Sequence, residues 1–117
     1  MDEPQFEEPN ARANGLPTAK EAAILARLKA SDHRRACLEK LFENPTGLTD
    51  YELQDLTGVQ QTSIGKRRLE CQRAGLVAAA WGELTVTRRR TPSGAMAQVW
   101  WITIDGVDYL RALRRNA

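Results

Sequence analysis

The chain has 117 residues, a length that suits one domain of ordinary size with flanking segments. Its 42% hydrophobic and 27% charged content matches a soluble globular protein, and no apolar run approaches the roughly 18–20 residues needed to cross a bilayer. Two cysteines and one histidine exclude a self-sufficient four-ligand zinc site, and the acidic, proline-bearing start MDEPQFEEPN is unlike a targeting peptide.

Taken in chain order, residues 1–17 carry Asp2, Glu3, Glu7 and Glu8 against Arg12, with three prolines and few large apolar residues. Such a segment cannot offset the entropy of ordering, so a disordered acidic tail is expected there, with residues 18–117 forming one domain. Thr18 and Glu21 have capping-box spacing and open a helix expected over 18–30, in which Ile24, Leu25 and Leu28 form a narrow stripe. Ser31 or Asp32 recaps the chain for a second helical stretch in which Cys37, Leu38, Leu41 and Phe42 repeat at helical spacing, until Asn44-Pro45 stops it. Whether 18–43 is one bent helix or two is open at this level.

Thr49 and Glu52 form a second capping box, for a short helix with Leu53 and Leu56 facing inward and Gly58 at its end. Another helix is predicted from about Gln61 to Arg73, closed by Ala74-Gly75, and Leu76 to Ala80 read as a short buried strand. The period then changes to two. Leu84, Val86, Arg88 and Arg90 point one way and Thr85, Thr87, Arg89 and Thr91 the other, up to a Pro92-Ser93-Gly94 turn. The return strand, Ala97 to Ile104, puts Trp100, Ile102 and Ile104 on one face and Val99, Trp101 and Thr103 on the other. Asp105 is then the expected cap of a closing helix over 106–115.

Short helix, tight glycine turn, helix and two-stranded hairpin is the plan of a winged helix-turn-helix. The expected fold class is therefore mainly α with some β, a three-helix core and a hairpin wing between extra N- and C-terminal helices.

The segment LTDYELQDLTGVQQTSIGKRRLECQRAGLV, followed by RRRTPSGAMAQVWWIT, also resembles the small winged-helix DNA-binding domains of bacteriophages and bacterial regulators. The resemblance covers Leu48 to about Thr103. It implies sequence-specific binding of double-stranded DNA, in a phage or bacterial transcriptional regulator of the host cytoplasm, with helix 61–73 in the major groove and wing 84–103 on the backbone or minor groove. Placing Ile64 and Cys71 inward sends Thr62, Lys66, Leu69 and Arg73 outward at 100° per residue. Gln61, Thr62, Ser63 and Lys66 are then the candidates for base readout: an amide can pair bidentately with adenine, an ammonium can reach guanine, and hydroxyls can donate. Arg67, Arg68, Arg73, Arg88, Arg89 and Arg90 are the candidates for the DNA backbone. Gly65 points to an adjustable helix start or to a close backbone approach.

Leu69 and Trp101 are candidate partner contacts. They motivate the competing reading, a winged-helix protein-interaction module that binds a host or phage protein. A homodimer through the terminal helices is a further expectation, and the acidic tail is a candidate cover for the basic face. No nucleophile beside a base, paired carboxylates or phosphate loop supports an enzyme, and no cofactor or metal is expected. Cys37 and Cys71 read as small buried hydrophobes. Arg34-Arg35 and Arg114-Arg115 read as solvated helix ends.

Overall fold

The computed structural model describes residues 16–82 and 85–116. The expectation of a disordered tail therefore falls, except for Leu16 and Pro17, outside the described residues. The elements in chain order are α1 (Ala19–Leu25), α2 (Asp32–Glu43), α3 (Asp50–Thr57), α4 (Gln61–Arg73), β1 (Val77–Ala79), β2 (Arg88–Arg90), β3 (Met96–Gln98), β4 (Trp100–Ile102) and α5 (Ile104–Arg115). This is a winged helix: α2, α3 and α4 pack together, β2 and β3 form the wing, and α1 and α5 lie against one another.

Local chemistry sets most of the helix boundaries. Both capping boxes form: Thr18 and Glu21 exchange side chain-to-backbone hydrogen bonds at the start of α1, and Thr49 and Glu52 do the same for α3. The stretch 18–43 is two helices, because the Ser31 hydroxyl accepts from the Arg34 amide and restarts the chain. α1 ends at Leu25, earlier than expected, where an Arg27 amide bond back to Ile24 tightens the last turn. Gly58 closes α3 at φ 74°, a conformation that costs other L-residues.

The core is one cluster built from Cys37, Leu38 and Leu41 of α2, Leu53 of α3, Ile64 and Cys71 of α4, Leu76 and Val77, and Tyr109 and Leu110 of α5. The Tyr109 hydroxyl is satisfied inside it by donating to the Leu28 carbonyl at 2.7 Å. Leu56, expected inward, is 46% exposed. The eight-residue α3 covers the core with one face only, and Leu53 occupies it.

The return strand is not continuous. β3 pairs with β2 in the register Arg88↔Gln98 and Arg90↔Met96, whereas β4 pairs with β1 in the register Val77↔Ile102 and Ala79↔Trp100. The change of partner falls at Val99, which is fully buried, and the Gln98 side-chain amide bridges the junction by donating to the Thr87 and Val99 carbonyls. Leu48 bonds the other edge of β4 at Trp100 through both backbone groups. The ascending strand is shorter than its alternation implied, and Leu84 lies outside the described residues.

Thr103, not Asp105, caps α5. Its hydroxyl accepts from the Gly106 amide at 3.0 Å and donates to the Gly75 carbonyl at 2.8 Å, so one side chain starts the helix and ties it to the end of α4. Ile104 consequently leaves the strand face assigned to it and stands 81% exposed in the first turn. Asp105 pairs with Arg27, in the turn that follows α1.

Of the arginines read as solvated helix ends, Arg114 and Arg115 are exposed, and all four make ion pairs, that of Arg35 within α2 and the other three between elements. Arg34 donates to Glu70 of α4 at 2.7 Å, Arg35 and Arg114 both reach Glu39, and Arg115 reaches the buried Glu21. Arg114 holds the Glu39 carboxyl below the usual range, and Arg34 does the same for Glu70.

Two outcomes follow from these contacts. Thr103→Ala should cost about 1 kcal/mol in urea unfolding and Asp105→Ala only a few tenths; the reverse order would return the cap to Asp105. Glu39 and Glu70 have lowered folded values, so their stabilisation is complete above the unfolded value, about 4.3, and is lost as pH falls through the folded one. On going from about pH 7 to about pH 3, the Glu39→Gln/Glu70→Gln double variant should therefore lose less stability than the wild type. Equal losses would mean that these pairs contribute nothing.

Candidate nucleic-acid interface

α4 is held by a two-residue seam. Ile64 and Cys71 are seven positions apart, nearly two helical turns, and both are fully buried. Apart from Gly65 and Leu69, the remaining circumference is polar. Thr62, Lys66 and Arg73 of the expected outward stripe are exposed, as is Gln61 at the helix start, and Ser63 is half-buried. Leu69, on the same stripe, is half-buried.

The start of α4 differs from that of the other described helices. Gln60 makes no side-chain capping bond, and no acid stands in the first turn. α1, α2, α3 and α5 are each capped by a Ser or Thr hydroxyl. The leading amides of α4 thus keep the partial positive charge that an anion can meet.

The six backbone-candidate arginines separate into two kinds. Arg73, Arg88 and Arg90 are exposed; Arg90 donates to the Gly94 carbonyl, which closes the wing turn. Arg68 is only 14% exposed. Its Nε and Nη2 make a two-pronged contact with Asp50 at 3.0 and 2.7 Å, its Nη1 donates to Gln72, and its guanidinium lies 4.0 Å above the Trp100 ring. Arg89 donates to Glu52 at 2.5 Å. Arg67 lies 3.1 Å from Glu70, with its Nε buried and making no hydrogen bond.

Gly65 lies beside the Asp50 carboxylate. A Cβ there would stand 3.4 Å from that carboxylate, an ordinary packing distance.

Trp100 packs against the core as expected. Trp101 is half-buried and paired in register with Ala78. The most exposed tryptophan is Trp81, at 63%, which no periodicity singled out because it stands between two strands. Tyr51 is also exposed, and with Thr49, Glu52, Arg90, Thr91 and Pro92 it lines a cleft of about 410 Å³ between α3 and the wing tip. The larger cleft, about 650 Å³, lies between α1 and α5, and no residue of α4 or the wing lines it.

Cys37 and Cys71 meet across the α2–α4 contact. Their hydrogen bond, with burial, pushes the Cys37 thiol up, which keeps it protonated and unreactive. Among the described residues no cluster of three His, Cys, Asp or Glu side chains is placed to hold a metal. No described helix is long and apolar enough to cross a membrane.

Arg68→Lys should lower stability by about 1–2 kcal/mol in urea unfolding, because an ammonium reproduces neither the two-pronged contact nor the ring stacking. A loss within about 0.3 kcal/mol would reduce Arg68 to a screened surface charge.

No protein-family model and no curated protein matches the sequence. Solved structures do. A MarR-family transcription regulator superposes with a TM-score of 0.56 at 29% identity, over 83% of this chain and 58% of the regulator. The chain thus spans less than two thirds of that protein's length. The PcaV transcriptional regulator from Streptomyces coelicolor, solved with its natural ligand, superposes with a TM-score of 0.58 over 96% of this chain and 77% of its own. At 16% identity that second likeness is one of fold. The chain is a winged helix-turn-helix whose structural neighbours are transcription regulators, one of them of the MarR family.

Proposed function

We propose that this chain binds double-stranded DNA sequence-specifically, as a bacterial or phage transcription regulator. The observation that carries the reading is the outer face of α4. It is uncapped at its start, exposed at Gln61, Thr62, Lys66 and Arg73, and accompanied by a wing with Arg88 and Arg90 exposed. A helix of this kind fits the major groove with its N-terminal residues toward the base edges. Gln61, Thr62, Ser63 and Lys66 are assigned to readout, and Arg67, Arg73, Arg88 and Arg90 to phosphates, where their charge supplies affinity without sequence preference.

The competing reading, a protein-interaction module, drew on Leu69 and Trp101 as free anchors. Both are half-buried, so each offers a partner less apolar surface than an exposed anchor would.

Binding to duplex DNA should fall steeply with salt, log Kobs against log salt having a slope of about −0.9 per phosphate neutralised. An absence of binding at low salt would remove the proposal. Selection from a random duplex pool should return a defined site. Gln61→Ala should then relax preference at a single base pair, by about 1–3 kcal/mol. Uniform weakening across all sequences would take readout away from Gln61.

A further inference from the structure

The first turn of α3 holds one arginine from each of the two elements assigned to DNA. Asp50, the first residue of the helix, takes Arg68 of α4 through both carboxylate oxygens. Glu52, two residues on, takes Arg89 of β2 with the same Oε1 that accepts the Thr49 amide at 2.9 Å. Both acids stand where the helix dipole favours negative charge. Partial burial pushes the Glu52 carboxyl up, but Arg89 and the Thr49 amide outweigh it and hold the group below the usual range, so it is charged at neutral pH.

The strand pleat explains why one arginine of three is held this way. Successive residues of β2 face opposite sides, which leaves Arg88 and Arg90 exposed and turns Arg89 back toward α3. Among the described residues, backbone hydrogen bonds at Thr87 and Val99 attach the wing at the base of the hairpin. The Arg89–Glu52 pair is a side-chain tie beyond that base.

We infer that Arg89 is a positioning residue of the wing and not a phosphate contact, and that Asp50 and Glu52 fix the wing and α4 relative to one another. The tie itself is independent of any ligand; its consequence for affinity rests on the DNA-binding reading above.

Glu52→Gln isolates the effect, because glutamine can still close the capping box while losing the charge that holds Arg89. In the full-length protein, hydrogen exchange at the wing amides of residues 87–98 should accelerate several-fold in Glu52→Gln and in Arg89→Gln, with α2 unchanged. Unaltered exchange in the wing would overturn the tie whether or not DNA is bound. On a random-sequence duplex, Arg88→Gln and Arg90→Gln should each make the salt slope shallower by about 0.9. Arg89→Gln and Glu52→Gln should keep the wild-type slope and lose about two- to fivefold in affinity, the scale of a half-exposed ion pair. Arg89→Lys, which can still reach Glu52, should recover most of that loss. A shallower slope in Arg89→Gln would make it a phosphate contact and sink the positioning role. If the wild type binds no DNA at low salt, the functional proposal fails by itself and the exchange result alone decides the tie.

Discussion

The burial of Ile64 and Cys71 against α2 is the contact on which the rest of the molecule depends. Two side chains on nearly the same helical face bring α4 into a core shared with Cys37, Leu38, Leu41 and Leu53. Full burial of a side chain the size of Ile64 is worth about 1.5–3 kcal/mol, whereas an exposed ion pair rarely exceeds about 1 kcal/mol. The helix is therefore held by its narrow apolar seam. Its other faces are free to carry glutamine, hydroxyls and cations without loss of the fold. A wider apolar stripe would have held α4 more firmly and left less of it to meet a ligand.

Ion pairs then act on this frame as orienting devices. Arg34 to Glu70, Arg68 to Asp50 and Arg89 to Glu52 each join two elements of the fold. Arg68 is the strongest of these, since it is mostly buried, two-pronged and stacked on Trp100. The four-atom geometry of a fork on a carboxylate fixes direction as well as distance.

What the sequence made legible follows the range of each interaction. Capping boxes at Thr18 and Thr49, the stop at Gly58 and the seven-residue seam of α4 depend on neighbours within two turns, and all are present. The helix-turn-helix and wing could therefore be read in order. The fate of each arginine could not. Arg34 and Glu70 are 36 positions apart, Arg89 and Glu52 37, Arg114 and Glu39 75, and Arg115 and Glu21 94. Periodicity carries no information at those separations. The break in the return strand failed for the same reason: its change of partner at Val99 depends on β1 and Leu48, both distant in sequence. Asp105 was the expected cap by residue type, and the carbonyl of Gly75, distant in sequence, favours Thr103 instead.

Charge shows the limit of composition most plainly. A net charge of +2 describes a nearly neutral protein, and the arginine run at 88–90 taken by itself describes a strongly cationic wing. Pairing decides between them. Among the described residues, Arg34, Arg35, Arg68, Arg89, Arg114 and Arg115 are matched to acids, while Lys66, Arg73, Arg88 and Arg90 make no ion pair. Lys20, Lys29 and Arg111 are similarly unmatched on or beside the terminal helices, so free charge alone does not mark the interface. What distinguishes the set on α4 and the wing is the scaffold that holds it, through the buried seam and the paired acids of α3. The acids of α3 neutralise two arginines while leaving their neighbours exposed, so a modest net charge is compatible with a locally cationic face. Removing the acids would raise the total charge of that face while loosening the geometry that presents it.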